Sequence, residues 1–258
     1  MKKLIAAFVL SLAPLAGMAS GGAALESPDI DLTDQAALQR GAKYFMNYCA
    51  GCHSLKYARY NRMARDIGLT EDQVKDNLIL TPGTKVGSNI EIAMRKQDGE
   101  AWFGTAIPDL TLVTRNKVGG PDWFYTYLKS FYLDPDRPYG VNNTVFPDVG
   151  MPDVLQNLRG TQKAVYQEGT DAAGNPTKVF EHFEPVDAGS MNAEDFDTMV
   201  SDLTTFLAYM GEPMKLERQS LGIYVIIFLI VFSVLAYLLK KEYWRDVQIG
   251  RASCRERV

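Results

Sequence analysis

The chain has 258 residues, 47% of them hydrophobic and 22% charged, with 3 cysteines and 2 histidines. That length allows one or two domains, and the composition is globular rather than low-complexity or collagen-like. Three cysteines are too few for a disulfide-built scaffold, a net charge of −4 argues against nucleic acid as a partner, and two histidines exclude a three-histidine metal site.

In chain order, residues 1–24 read as a secretory signal peptide. Lys2 and Lys3 open an apolar run over residues 4–16, and small residues follow through Ala19, Gly22 and Ala24; cleavage after Ala19 or after Ala24 fits equally. Asp34 or Thr33 can cap a helix through Ala37, Leu38, Ala42, Phe45 and Met46 towards Tyr48, with apolar residues at three- and four-residue intervals. Residues 122–132, started by Gly119-Gly120-Pro121, predict an aromatic-rich helix. Runs on either side of Asp171-Ala172-Ala173-Gly174-Asn175 predict a small hairpin within residues 165–180. Asn192 can cap a further helix whose first turn carries Glu194 and Asp195, and whose stripe is Phe196, Val200, Leu203, Phe206, Leu207 and Met210. Gly- and Pro-rich loops are expected over residues 81–88, 99–109 and 134–152. The domain at 25–212 is thus mainly α, with few strands and long loops. Such a domain calls for a bound group to help fill its centre.

After a linker at 213–220, residues 221–239 form a 19-residue apolar segment without a formal charge. As a helix it extends about 28 Å, close to the hydrocarbon thickness of a bilayer, so it is expected to be transmembrane. Lys240, Lys241 and Arg245 follow it closely. The positive-inside rule therefore makes 240–258 a cytoplasmic tail and leaves the large domain outside, as the signal peptide also implies. Without its ends the exported part is more acidic than the whole: residues 25–220 hold 28 Asp and Glu against 19 Lys and Arg, a net of −9. Such a surface is either a solubility device or a docking face for a basic protein.

Cys49-Ala50-Gly51-Cys52-His53 carries the chemistry. In Cys-x-x-Cys-His the two thiols can add to the vinyl groups of a haem while the adjacent histidine reaches the iron as proximal ligand. A thioredoxin-type pair should follow a strand, whereas this motif closes an amphipathic helix. A zinc site would need further ligands, from Cys254 beyond the membrane segment or from acids. One motif implies one covalently attached haem c. For the sixth ligand, His182 reads as a solvated surface residue beside Glu181 and Glu184. Met63, Met94, Met199 and Met210 fit helical packing patterns, Met46 lies on the approach helix, and Met191 remains possible. Met151 is the favoured ligand: in Val149-Gly150-Met151-Pro152, glycine permits close backbone approach and proline stiffens the loop. Two axial protein ligands disfavour oxygen or peroxide chemistry and favour electron transfer. Arg115 and Lys117 could neutralise haem propionates or be ordinary surface charges.

Several motifs in order resemble the cytochrome c1 family over residues 25–247. They are Cys49 to His53 followed by Ser54-Leu55-Lys56-Tyr57; Pro108-Asp109-Leu110-Thr111 leading to Arg115 and Gly119-Gly120-Pro121-Asp122-Trp123; Val149-Gly150-Met151-Pro152; and Gly211-Glu212-Pro213 before the single span. The resemblance implies a class I cytochrome c-like domain with long loops and a small hairpin, tethered by one C-terminal transmembrane helix. It implies a subunit of quinol–cytochrome c oxidoreductase, the cytochrome bc1 complex, in which Cys49 and Cys52 attach haem and His53 and Met151 bind iron. The implied partners are a cytochrome b subunit, a Rieske iron–sulfur subunit that donates the electron, and a soluble or membrane-bound cytochrome c that accepts it. The signal peptide points to a bacterial inner membrane, with the haem domain in the periplasm. The stretch at 153–191 is longer than the family's minimal form, and the tail at 250–258 does not resemble the family's ending. A monohaem subunit of a terminal oxidase, or a free-standing haem sensor, is the alternative.

Overall fold

The computed structural model describes residues 24–170 and 175–255, with residues 246–255 as backbone only. All but the last residue of the expected signal peptide, and the hairpin turn Asp171 to Gly174, lie outside the described residues.

Helix α1 (Gln35–Tyr44) starts where the Asp34 carboxylate accepts the Ala36 and Ala37 amides, at 2.9 and 3.0 Å. It passes into a π-helical turn, Phe45–Cys49, closed by the bond from Ala50 N to Phe45 O. A regular α-helix was the expectation to Tyr48; the wider turn instead changes the face on which Cys49 leaves the helix. Next come β1 (Leu55–Arg59), α2 (Tyr60–Asp66) and α3 (Glu71–Asn77), the last under a Thr70–Gln73 capping box. The short strand β2 (Asn89–Ile90) pairs antiparallel with β1.

Helix α4 (Lys96–Phe103) occupies the front of the stretch expected as a loop from residue 99. Arg95 forks onto Asp98, and the Asp98 carboxylate accepts the Arg95 amide, which caps the helix. Met94 precedes this helix rather than lying in one. The short α5 (Val113–Asn116) and α6 (Gly120–Lys129) follow. Helix α6 is shorter than expected, because residues 131–133 leave it to form β3 (Phe131–Leu133). That strand pairs with β4 (Val141–Asn143) inside the predicted 134–152 loop. The pairing partner lies ten residues away, so no local periodicity announces it.

A short α7 (Gln156–Arg159) leads into β5 (Gly160–Thr170), which pairs antiparallel with β6 (Pro176–Ala188) from Gly160↔Ala188 to Thr170↔Pro176. This hairpin is far longer than the expected one and accounts for most of the extra stretch at 153–191. Tyr132, Tyr166, Phe180 and Phe183 form an aromatic row that lays the hairpin on β3.

Helix α8 (Ala193–Gly211) is capped by Asn192, whose side chain accepts the Asp195 amide at 2.8 Å. It crosses α1 at the centre of the core, where Phe45 stacks obliquely on Phe206 and Leu38 and Ala42 share one cluster with Val200, Leu203 and Leu207. Gly41 allows the crossing: a Cβ there would lie 2.2 Å from the Asp202 carbonyl oxygen and 2.6 Å from Phe206 Cβ. Beside it, Arg40 forks onto the buried Asp202 carboxylate at 2.6 and 2.9 Å.

Helix α9 (Lys215–Arg255) begins four residues after α8 ends, so most of the expected 213–220 linker is helical. Its apolar side chains from Leu221 to Leu239 are exposed, and it is the one helix among the described residues long and apolar enough to cross a membrane. An unbroken apolar surface of that size calls for a lipid environment.

Gly41→Ala is expected to destabilise the fold by about 1–3 kcal/mol, since the added methyl must push two packed helices apart. A thermal melt followed by circular dichroism should show a loss of several degrees; an unchanged melting temperature would mean the crossing can relax.

Candidate haem-binding site

The end of α1 delivers Cys49, Cys52 and His53 to one wall of a cavity of about 510 Å³. The turn is closed locally: the amides of Cys52 and His53 both donate to the Cys49 carbonyl, at 3.0 and 2.8 Å. The segment with Pro108 and Asp109 is stitched alongside. Leu110 N donates to Ser54 O, Asp109 accepts the Lys56 amide at 2.8 Å, and the Pro108 carbonyl lies 2.8 Å from His53 Nδ1. A carbonyl can only accept, so Nδ1 carries the proton and Nε2 keeps its lone pair. Burial also holds the His53 pKa below its ordinary value, against the opposing pull of the Pro108 carbonyl and the Asp109 charge. A neutral imidazole oriented through its other ring nitrogen is the form that binds a metal.

Burial pushes the Cys49 thiol up to about 12, with Cys52 adding to the effect. A nucleophilic redox cysteine needs the opposite shift, so the thioredoxin-type alternative has no activated thiolate at Cys49. Among the described residues no group of three or more His, Cys, Asp or Glu could hold a metal, and the zinc alternative therefore lacks its ligands there.

Met151 lines the same cavity, far from the motif in sequence. The Tyr127 hydroxyl donates to its sulfur at 3.3 Å. Sulfur has two lone pairs, so this bond leaves one free. Tyr127 stacks on Trp123 at 4.9 Å between centroids and meets Phe131 and Phe146 edge-on. Asn143, almost fully buried, donates to the Tyr127 carbonyl and accepts the amides of Val145 and Phe146, fixing the approach to the methionine loop. The sequence reading missed Tyr127, Asn142 and Asn143; the pair of asparagines after Gly140 was the one local hint.

Gly150 lines the cavity beside Met151, and a Cβ on it would meet no protein atom closer than Phe103 O at 3.8 Å. The residue in the left-handed region is Asp148, with φ of +61°.

The remaining candidates separate. Lys117 lines the cavity, its ammonium 4.6 Å from the Trp123 ring centre and 5.1 Å from that of Phe146, whereas Arg115 is exposed outside it. His182 sits exposed on β6, opposite Val165 and beside Glu181. Met63, Met199 and Met210 are core residues, and Met191 packs at the edge of the core, its amide donating to Leu158 O. The walls are largely apolar, and among their polar groups are the donors haem attachment requires: two thiols, an imidazole with a free Nε2 and a thioether. The residues present fit a haem c.

The sequence profile of the Cytochrome C1 family matches residues 29–100 and 91–247. The chain is 56% identical to a protein named "Cytochrome c1" from Allochromatium vinosum, over 96% of this chain and 100% of that protein. It is 44% identical to a protein named "Ammonia monooxygenase gamma subunit" from Nitrosomonas europaea, over 92% of this chain and 94% of that one. A further "Cytochrome c1", from Rhodospirillum rubrum, is 27% identical over 96% of this chain and 97% of its own length.

In the haem-free chain, Cys49 is expected to stay protonated through neutral pH. With Cys52 replaced by serine, its alkylation by iodoacetamide should remain slow up to about pH 9, because burial raises the pH at which the reactive thiolate appears. A rate midpoint near neutrality would restore the redox-pair alternative.

Proposed function

The chain belongs to the cytochrome c1 family, and on that premise we propose that it is the membrane-anchored haem subunit of a quinol–cytochrome c oxidoreductase, taking electrons from a Rieske iron–sulfur subunit and handing them to a soluble or membrane-bound cytochrome c. The observation that carries this reading is one cavity lined by Cys49, Cys52, His53 and Met151.

The haem domain follows the class I cytochrome c plan. Cys49 and Cys52 would hold one haem c through their two thiols. His53 would offer Nε2 and Met151 its thioether to the iron. When bound, the group would supply a one-electron iron couple. The protein's part is to hold these ligands still and to keep water away. Pro108 orients His53, Tyr127 holds the Met151 sulfur, and Trp123, Phe146 and Val149 supply apolar walls. A dry site with a thioether ligand favours the reduced state and raises the potential.

The signal peptide and the basic residues after the span support a domain in the periplasm and a tail in the cytoplasm of a bacterial inner membrane. There α9 would lie against a cytochrome b subunit. The acidic domain supports attraction of a basic electron acceptor.

Met151→Ala is expected to abolish the methionine-to-iron absorption band and to make the reduced haem bind carbon monoxide. If the unaltered protein already binds carbon monoxide and lacks that band, a sensor replaces this reading. Purified in detergent with its native partners, the chain should bring down a b-type cytochrome and a Rieske protein. Recovery with monooxygenase or terminal-oxidase subunits instead would place it in another complex. Electron transfer to a basic cytochrome c should slow as ionic strength rises, because screening weakens the encounter; rates indifferent to salt would remove the acidic face from the mechanism.

A further inference from the structure

The loop that carries Met151, residues 148–153, has no helix or strand of its own, yet both of its ends are gripped by an arginine. At the first end Arg137 donates from Nη1 to Asp148 Oδ1 at 2.9 Å and from Nη2 to the Asp148 carbonyl at 2.7 Å. The Asp148 amide donates to Asn142 Oδ1 at 2.9 Å. Every polar group of this one residue's backbone is therefore held, and it is the residue forced into the left-handed conformation. At the other end Arg159 Nη2 donates to Asp153 Oδ2 at 2.5 Å, with the two side chains only 12% and 3% exposed. The same guanidinium donates to the carbonyls of Leu128, Lys129 and Phe131, which lie at the end of α6 and in β3. Each fork works through its terminal nitrogens alone, since Nε of both arginines is buried without a partner.

We propose that Arg137 and Arg159 are positioning residues that pin the two ends of the methionine loop and so keep the Met151 sulfur in the cavity beneath the Tyr127 hydroxyl. The two anchors differ in where they lead. Arg159 ties Asp153 to the last turn of α6, the helix that also carries Tyr127. Arg137 ties Asp148 back to the segment that precedes β4. With both in place the loop is short between fixed points, and Met151 lies near its middle. A lone ammonium could satisfy neither grip, because each requires two or more donors set in one plane. The Arg137–Asp148 pair is too exposed for its charge to matter much, with Asp148 78% accessible, so its role is geometric.

This inference rests on Met151 being the iron ligand, and the test separates the two. Arg137→Gln, Arg137→Lys and Arg159→Lys would be made in the full haem-loaded chain. The methionine-to-iron band would be followed through urea titration alongside global unfolding, with the midpoint potential and carbon monoxide binding measured on the same samples. The unaltered protein should lose the band together with its fold. Arg137→Gln should lose it well before the fold is lost, with a lower potential and a several-fold faster reaction with carbon monoxide. Arg137→Lys should fail to restore the unaltered behaviour. If the band still disappears only with global unfolding and the potential is unchanged, the arginines merely stabilise the domain and the proposal is overturned. If the unaltered protein has no such band, it is the ligand assignment that falls. Should Arg159→Lys yield no folded protein, the Arg137 pair decides alone.

Discussion

The crossing of α1 and α8 is the contact on which the rest of the molecule depends. Two helices can approach this closely only if one of them lacks a side chain at the point of contact, and Gly41 meets that condition over the Asp202 carbonyl. The Asp202 carboxylate is then taken out of water and needs a charged partner that it cannot find on its own helix. Arg40, one residue from the contact, supplies it in a two-pronged bond. Backbone proximity and charge pairing thus fix the same geometry. Since α1 runs directly into the π turn and the Cys-x-x-Cys-His motif, the orientation of α1 sets where the thiols and the imidazole are presented.

The second half of the site is built on different principles. The motif wall is a continuous piece of chain, closed by amide bonds to the Cys49 carbonyl and by the Pro108–Asp109 segment beside it. The methionine wall has no such continuity. It is a loop suspended between β4 and α7, positioned by buried asparagines, a tyrosine hydroxyl and two arginine forks. A rigid histidine side and a tethered methionine side suit a group attached covalently at one edge, because only the far ligand needs to be held by the fold.

Much of the helical framework was legible in the chain. Asp34 and Asn192 act as the caps they resemble, and the apolar stripes that follow them face each other in the core. The apolar run after Leu221 is as exposed as its composition requires. The errors share one cause. Residues 131–133 continue an aromatic pattern that looks helical, but Phe131 is drawn to Asn143. The hairpin extends well past its alternating segment because cross-strand pairs and the aromatic row on Tyr132 sustain it. Lys96–Phe103 forms a helix where glycine and proline nearby suggest a loop, through a cap made by Arg95 and Asp98.

By itself the sequence determined the Cys-x-x-Cys-His motif, the caps of the two principal helices and the candidate membrane span. Each of these is written in neighbouring residues, whose chemistry needs no partner from elsewhere in the chain. Only the tertiary structure decided that Met151, rather than His182 or Met191, shares the cavity with His53, that Tyr127 donates to its sulfur, and that Arg137 and Arg159 hold its loop. Those contacts join residues that local periodicity cannot connect. They exist only once α6, β3 and β4 have packed and removed the competing water.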